Sequence, residues 1–264
     1  MEINDNKSNL YKLKFWKNFI NPGNIMLFVL GVESLKWVYL LVFENFRDLD
    51  YSSYHDQSKL YLLGQKDYFE LRGLNGPCFY PALHMYTYAL LVLITNDRAN
   101  AIPAVICTTI AYLTIWYFAV KIYQAAFGKK SPNVLLIAIC CISTRPSILA
   151  TKYAFWDSFN VMFTYIAIYM FQNNYGYTGW AFISIAMGYK MNVLMYIPGL
   201  FYIMSLTKGI WKAFLSLIIM TIMQGVWGIE FLIYNSESYI KRAFHFSRLF
   251  HMTTSQIYRW LLWK

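Results

Sequence analysis

The chain has 264 residues, of which 58% are hydrophobic and only 14% are charged, and its mean hydropathy is +0.36. This composition excludes an ordinary soluble domain, since apolar stretches of about 20 residues are long enough to cross a bilayer. The formal net charge of +10 would favour a nucleic-acid ligand in a soluble protein. Here the lysines and arginines flank apolar stretches instead, as in proteins whose charges set membrane topology, and we expect no nucleic-acid partner.

The apolar stretches predict an all-α, polytopic membrane protein with about seven transmembrane helices. Residues 24–234 form one transmembrane module, with a polar loop at residues 44–78 that is predicted to contain short surface helices. Residues 235–264 are basic with interleaved aromatic side chains and predict an amphipathic surface segment. In chain order, the predicted spans are residues 24–43, 79–95, 101–127, 133–149, 158–171, 180–204 and 211–234.

The topology follows from the number of spans and from the charges. Residues 1–23 are polar and contain lysines, without the apolar core of a cleavable signal sequence, so we interpret them as a cytosolic tail. Seven spans then place the loop 44–78 and the C-terminal segment together on the opposite side of the membrane. Lys129 and Lys130 would lie on that side too, against the positive-inside tendency. Either the tendency fails there, or one of the second to fifth spans is re-entrant.

The loop 44–78 is unusually acidic. Asp48 and Asp50 are two residues apart, a spacing that suits a divalent cation, or a general base with a neighbour that tunes it. A solvated acidic loop is the plainer interpretation, and the spacing alone leaves all three open. The loop holds six of the 13 acidic residues of the chain, namely Glu44, Asp48, Asp50, Asp56, Asp67 and Glu70.

Polar residues also occur at and within the predicted spans. Residues 76–81, Gly-Pro-Cys-Phe-Tyr-Pro, lead into the second span, where proline is tolerated in the first helical turn, so a purely structural role is open. Lys190 and Asn192 lie inside the sixth span, where they are costly unless they are paired or face a water-filled cavity. A lysine beside such a cavity suits a phosphate ligand. In the first span, Glu33 either faces a functional interior or pairs with Lys36.

In this order the motifs resemble a known family, the endoplasmic-reticulum mannosyltransferases that use dolichyl-phosphate mannose to add an α-1,3-mannose to lipid-linked Man5GlcNAc2. Residues 48–54, Asp-Leu-Asp-Tyr-Ser-Ser-Tyr, resemble the family motif Glu-Ile-Asp-Tyr/Trp-x-x-Tyr. Residues 75–82 resemble Thr-Gly-Pro-Leu-Val-Tyr-Pro-Ala, and residues 190–194 are the family's Lys-Met-Asn-Val-Leu, followed by Pro198-Gly199. Trp156-Asp157 stands where the family has Asn-Asp, and parts of residues 228–244 resemble its next luminal segment.

The resemblance implies a C-type (GT-C-like) glycosyltransferase and an inverting transfer in which Asp50 is the catalytic base. Asp50 would take the proton from the acceptor hydroxyl, which attacks the anomeric carbon of the donor. Lys190, Arg242 and Arg248 are the candidates for balancing the charge of the lipid phosphate. The predicted substrate-binding residues are Asp48, Tyr51, Tyr54, Gly76, Pro77, Tyr80, Pro81, Asp157, Lys190, Asn192, Arg242 and Arg248.

The resemblance also implies the setting of the reaction. The expected partners are the endoplasmic-reticulum membrane, dolichyl-phosphate mannose as the donor and a dolichol-linked oligosaccharide as the acceptor. The protein would cross this membrane several times, with its active site facing the lumen. We expect no cofactor and no requirement for a divalent metal, because the leaving group is a lipid phosphate.

The chain is short at its C-terminus compared with this family, whose members continue with further spans that help to build the donor pocket. A compact enzyme, a partial sequence and an inactive remnant are all compatible with this difference. Two other functions stay open. One is a non-catalytic partner of the glycosylation machinery, and the other is a transporter or channel whose polar path is lined by Glu33, Asp157, Lys190 and Asn192.

Overall fold

The computed structural model describes residues 22–43, 46, 48, 50–95, 101–127, 150 and 152–245. Over these ranges the chain is mostly helical, which confirms the predicted helical class. A short β-hairpin, which the all-α prediction missed, interrupts the helices. The fourth predicted span lies outside the described residues, as do most of the predicted cytosolic tail and the chain from residue 246 onwards.

Between residues 157 and 243 the helices follow one another with short connections, and a polar segment that contains the hairpin lies between residues 62 and 82. The hairpin strands β1 (Arg72–Gly73) and β2 (Gly76–Pro77) are antiparallel, with Arg72 opposite Pro77 and Gly73 opposite Gly76. The helices are α1 (Pro22–Phe43), α2 (Tyr51–Leu62), α3 (Ala82–Thr95), α4 (Ile102–Phe127), α5 (Asp157–Gln172), α6 (Gly176–Tyr189), a 3₁₀ helix (Met191–Tyr196), α7 (Ile197–Lys208) and α8 (Ile210–Ala243).

Two of the described helices are long and apolar enough to cross a membrane. They are Ile102–Ala126, within α4, and Ile210–Ala243, which is α8, and they coincide with the third and seventh predicted spans. α3 is a shorter apolar helix in the second predicted span, and α1 and α5 cover the first and the fifth. The total of seven spans stays a prediction.

The prediction of one continuous span over residues 180–204 is wrong. α6 ends at Tyr189, Lys190 has an extended backbone (φ −157°, ψ 130°), and the 3₁₀ helix then leads into α7. Pro198 lies at the start of α7, where it has no N–H to offer the preceding turn and its ring would clash with that turn. Pro198 therefore disfavours a regular helix through residues 194–198, whereas the break itself lies earlier in the chain, at Lys190.

Polar contacts as well as apolar ones join the helices. α5 packs against α4 and α6, and α8 packs against α3, α6 and α7. Between α6 and α8, the Gln224 amide donates to Ser184 O at 2.5 Å and to Ser184 Oγ at 2.8 Å. The Ser184 hydroxyl donates in turn to Met220 O at 3.2 Å. Such bonds between helices satisfy polar groups that an apolar environment would leave without water.

The polar loop after α2 is held by the C-terminal end of α8. α8 kinks at Asn235 (φ −155°, ψ 89°), whose amide donates to Asp67 Oδ2 at 2.9 Å. Just beyond the kink, Ser238 Oγ accepts the N–H of Tyr68 at 3.3 Å. Burial opposes ionisation of Asp67, but the hydrogen bonds from the Phe69 N–H and from Asn235 outweigh it and lower the pKa of the carboxyl. The loop and the end of α8 therefore lie together.

Tyr239 joins the end of α8 to the start of α3. Its hydroxyl accepts the backbone N–H of Ala82 at 3.3 Å, a donor in the first turn of α3 that has no partner within the helix. The ring is buried against Gly228, where a Cβ atom would lie 2.6 Å from a ring carbon. Gly228 thus leaves the space that the Tyr239 ring fills.

Replacing Gly228 by Ala tests this packing. Because the added methyl group overlaps the Tyr239 ring, we expect the free energy of unfolding to fall by about 1–3 kcal/mol, despite the higher helix propensity of alanine. Gly225→Ala is the matched control in the same helix, since a Cβ there meets nothing within 4 Å. Thermal unfolding of both purified variants in detergent makes the comparison, and equal midpoints would contradict the packing.

Candidate active site

Asp50 lines a groove formed by the start of α2, the hairpin and the segment before α3. It occupies the N-cap position of α2, yet its side chain makes no capping hydrogen bond. The carboxylate turns to other groups, since the Asn75 amide donates to Oδ1 at 3.0 Å and Tyr54 Oη lies 3.5 Å from Oδ2. The groove has a volume of about 70 Å³, and Asp50 is the only acidic residue that lines it in the described structure.

Asp48 has a different role from Asp50. The Ser52 N–H donates to Asp48 Oδ1 at 3.0 Å, and the Ser52 hydroxyl donates to Oδ2. These bonds satisfy a backbone N–H in the first turn of α2, so Asp48 fixes where the helix begins. Within the described ranges, no group of three or more His, Cys, Asp or Glu residues could hold a metal ion. That the reaction needs no divalent metal stays a prediction.

Close backbone contact fixes the hairpin to α2. A Cβ atom on Gly73 would lie 2.4 Å from Ser53 O, so a larger residue would push the two apart. The Ser53 hydroxyl accepts the N–H of Asn75 at 2.9 Å, and the Gln57 amide donates to Gly76 O at 3.2 Å. Gly76 has φ +121°, a conformation that glycine adopts at little cost. Gly76 therefore shapes the turn that aims Asn75 at Asp50.

The two prolines of the motif at residues 76–81 take different positions. Pro77 lies in β2 and lines the groove. Pro81 is buried directly before α3, where its carbonyl oxygen accepts the N–H of His84 at 3.2 Å. Pro81 thus helps to begin α3, in line with the structural interpretation of this motif.

Tyrosine side chains form the wall behind Asp50. Tyr54 Oη and Tyr80 Oη are 2.8 Å apart, and their rings meet edge to face. Tyr80 also stacks on His84, with 4.2 Å between the ring centroids. Burial raises the pKa of Tyr54, so its hydroxyl stays protonated at neutral pH and can donate a hydrogen bond. Tyr51 packs against Tyr88 and does not line the groove.

Lys190 reaches the same region from the break after α6. Its Nζ lies 2.5 Å from Oδ1 of Asp157, which is the first residue of α5. A cavity of about 10 Å³ lies between this ion pair and the rings of Tyr54 and Tyr80; it has room for about one water molecule. The fold therefore brings Asp50, Tyr54, Tyr80, Asp157 and Lys190 together from distant parts of the chain.

Asn160, which the sequence reasoning missed, holds the break in place. Its side chain is buried, and its amide nitrogen lies 3.2 Å from Ala186 O, 3.2 Å from Lys190 O and 3.0 Å from Asn192 Oδ1. It thus joins α5 to the backbone and side chain at the break. Asn192 contacts Asn160 rather than the cavity, and its predicted substrate contact stays a prediction. A lone asparagine inside an apolar stretch was the available signal for Asn160.

The predicted arginines lie at the edge of this arrangement or beyond it. The Arg242 guanidinium stands over the rings of Phe69 and Phe79, 5.3 and 5.6 Å from their centroids. Phe79 lines the groove of Asp50, so Arg242 is one ring away from it. Arg248 lies outside the described residues, and its predicted role stays a prediction.

Glu33 is buried and paired. Lys36 Nζ donates to Oε1 at 2.9 Å, and Tyr112 Oη donates to Oε2 at 3.0 Å. A groove of about 340 Å³ runs between α4 and α5 from Tyr112 to Asp157, and mainly apolar side chains such as Trp116 line it. Among the described residues, Glu33 and Asp157 are therefore not joined by the polar path that a transporter or channel would need.

The comparisons with known proteins agree with the motifs. The family model described as "ALG3 protein" matches residues 26–262. The chain belongs to this family. The resemblance inferred from the motifs is thereby confirmed. No solved structure matches the chain significantly.

Curated relatives of the chain carry names of one enzyme. A Dictyostelium discoideum protein named "Probable Dol-P-Man:Man(5)GlcNAc(2)-PP-Dol alpha-1,3-mannosyltransferase" is 27% identical over 89% of this chain and 57% of its own length. Proteins with the same name without "Probable" are 30% identical in Cryptococcus neoformans and 28% identical in Homo sapiens. Each of these two alignments covers 80% of this chain, and they cover 49% and 48% of the respective relative. The chain thus spans about half the length of these relatives.

Removing the Asn160 side chain tests its role at the break. Asn160→Ala removes the hydrogen bonds that join α5 to the break, and we expect it to lower the free energy of unfolding by about 1–3 kcal/mol. Asn173→Ala is the control, because that exposed amide donates only to Tyr169 O in the described structure. Thermal unfolding in detergent, with amide hydrogen exchange over residues 186–194, compares the two. An Asn160→Ala protein as stable as the control would rule out this role.

Proposed function

We propose that this protein transfers mannose from dolichyl-phosphate mannose to lipid-linked Man5GlcNAc2, in an α-1,3 linkage, during assembly of the N-glycan precursor. Family membership and the names of the relatives support this activity. The observation that carries the proposal is the position of the Asp50 carboxylate, held by Asn75 at an open groove in the segment that matches the family motif.

Asp50 acts as the general base in this reaction. Its carboxylate takes the proton of the acceptor hydroxyl while the acceptor oxygen attacks the anomeric carbon of the donor. The bond between that carbon and the phosphate oxygen breaks, dolichyl phosphate leaves, and the configuration is inverted. Asn75 and Tyr54 contact the carboxylate and so fix its orientation. We assign them to positioning Asp50.

Lys190 serves the donor side. It is a compact cation near Tyr80, and such a charge can balance the phosphate of the leaving group as negative charge develops there. Asp157 holds Lys190 in place, so the donor phosphate would share or displace this partner. The apolar groove between α4 and α5 ends at Asp157, and its lining suits an isoprenoid chain. Arg242 and, beyond the described residues, Arg248 remain further candidates for contacts with the phosphate.

The proposed setting is the membrane of the endoplasmic reticulum, crossed about seven times, with the groove of Asp50 facing the lumen. An odd number of spans puts the loop 44–78 and the chain after α8 on one side. The hydrogen bonds between Asp67 and Asn235, and between Tyr68 and Ser238, support this arrangement, because they join those two regions. The two helices of transmembrane length support membrane insertion.

Replacing Asp50 by Asn tests the base. The amide keeps the size of the side chain but cannot accept the proton, so we expect the rate of mannose transfer to fall by about 10²–10⁴-fold, with normal membrane insertion. Transfer is measured with purified lipid-linked Man5GlcNAc2 and dolichyl-phosphate mannose. Asp56→Asn, in the same helix but not lining the groove, should leave transfer unchanged.

A cellular measurement tests the same proposal without purification. Cells that lack this protein should accumulate lipid-linked Man5GlcNAc2, and re-expression of the chain, but not of its Asp50→Asn variant, should restore the longer oligosaccharides. An unchanged profile of lipid-linked oligosaccharides would reject the proposed function. Full restoration by Asp50→Asn would reject Asp50 as the base and favour a non-catalytic partner of the glycosylation machinery.

Replacing Lys190 by Met tests the donor side. The loss of a charge beside the leaving phosphate should lower kcat/KM for the donor by about 10²–10³-fold, while the KM for the acceptor stays the same. Lys208→Met is the control, since Lys208 donates to Asn174 Oδ1 at 3.1 Å, at the end of α7. An unchanged kcat/KM for the donor, or a higher KM for the acceptor, would argue against Lys190 as the phosphate partner.

A further inference from the structure

Gln57 is a buried polar side chain in the wall of the groove of Asp50. It is only 3% exposed, and it lines the groove together with Asp50, Asn75 and Phe79. Its amide nitrogen donates to Gly76 O at 3.2 Å. That contact distinguishes Nε2 from Oε1 of Gln57, because the Gly76 carbonyl oxygen can only accept a hydrogen bond and its partner must be the N–H group.

The other end of this amide has no partner. Gln57 Oε1 is buried and accepts no hydrogen bond in the part of the chain that the structure describes. A buried acceptor without a donor is unfavourable and uncommon in folded proteins. Since Gln57 lines an open groove, a ligand in that groove can supply the missing donor.

The chemistry of the groove limits what that ligand can be. Oε1 is an acceptor only, so the ligand must donate a hydrogen. The Asp50 carboxylate in the same groove disfavours an anion such as a phosphate. The groove also offers the side chains of Phe79 and Tyr80, and aromatic rings pack well against the C–H face of a pyranose. A neutral sugar with several hydroxyl donors meets all three conditions.

We propose that this groove is the acceptor-sugar subsite and that Gln57 Oε1 accepts a hydrogen bond from a hydroxyl of the acceptor mannose residue other than the one that Asp50 deprotonates. The assignment rests on the proposed function, because that function defines which sugar is the acceptor. Gln57 is then a specificity-determining residue, since a site built around a sugar hydroxyl disfavours analogues that lack it.

Gln57→Met tests the assignment. Methionine keeps the length and volume of the side chain but removes the acceptor oxygen and also the donor to Gly76 O. We expect the KM for the acceptor to rise about tenfold, because the lost contact with the sugar serves the bound substrate and the transition state alike, whereas a loosened hairpin lowers kcat. An unchanged KM would show that water alone satisfies Oε1, and the proposal would be overturned.

Gln224→Met is the matched control. Gln224 is also largely buried, its amide also donates to a backbone carbonyl, and its Oε1 also lacks a partner in the described structure. It lies between α6 and α8 and does not line the groove of Asp50. Both variants lose one buried amide, so both should lower the midpoint of thermal unfolding. Only Gln57→Met should raise the KM for the acceptor.

Deoxy acceptors provide a test on the unaltered protein, which holds even if Gln57→Met folds poorly. A set of acceptors is prepared in which each hydroxyl of the reacting mannose, except the 3-hydroxyl, is replaced by hydrogen. One of them should show about a tenfold higher KM with the wild-type protein and no further increase with Gln57→Met. Equal KM values for the whole set would overturn the proposal.

A binding measurement separates this inference from the proposed function. The Man5GlcNAc2 oligosaccharide, free of lipid, is titrated into the purified protein without any donor, and its affinity is compared between wild type, Gln57→Met and Gln224→Met. Binding that only Gln57→Met weakens supports the subsite, even if the protein transfers no mannose. Mannose transfer together with equal binding by all three proteins would overturn the subsite and leave the proposed function standing.

Discussion

The contact between the hairpin and the first turns of α2 is the constraint on which the site depends. Gly73 lets the hairpin backbone approach Ser53 to a distance that a side chain would prevent. The Ser53 hydroxyl and the Gln57 amide then bind the turn from the α2 side. Because of this contact, Asn75 meets Asp50, which would otherwise be one more solvated carboxylate in an acidic loop. The orientation of the candidate base is thus a product of packing between backbones.

A second constraint, the break after α6, brings the Lys190 side chain close to the groove of Asp50. α6 ends before Lys190, whose backbone is extended, and the Asn160 amide bonds to Ala186 O and Lys190 O at the break. A lysine in the middle of an unbroken span would have to be paired along the helix or exposed to lipid. At the break its side chain can leave the helix axis and reach Asp157, close to Tyr80. Asp50 is therefore positioned by a tight turn of the hairpin, and Lys190 is positioned by an interrupted helix.

Most of the helices could be predicted from sequence, because each apolar stretch long enough to form one is bounded by charged residues, glycine or proline. The hairpin could not, since strands of two residues have no alternating pattern that a reader could detect. Pro198 was a signal that residues 180–204 do not form one regular helix, but the hydrophobicity of the stretch outweighed this signal, and nothing local marked Lys190 as the point of the break. A long apolar stretch reveals burial and says little about whether the backbone is continuous.

Some residues of the candidate site could be predicted from sequence and others could not. Asp50, Tyr54, Tyr80 and Lys190 lie in motifs that are short in sequence, and the motifs led to them. Asn160 and Gln57 could not be found by that route, because their importance lies in carbonyls and a groove contributed by distant residues. Asp48 shows the converse, since a carboxylate in the leading motif serves the start of a helix. The positions of Asp48 and Asp50 in the sequence did not show which of them starts the helix and which is the candidate base. Their hydrogen-bond partners in the structure did.

The docking of the polar loop on the kinked end of α8 links two regions of the molecule that are 168 residues apart in sequence. The loop carries the hairpin, and the hairpin holds Asn75 against Asp50. A ligand that restrains the hairpin therefore also restrains the last two turns of α8, and the coupling acts equally in the reverse direction. The C-terminal end of α8 is in this way coupled to the groove of Asp50.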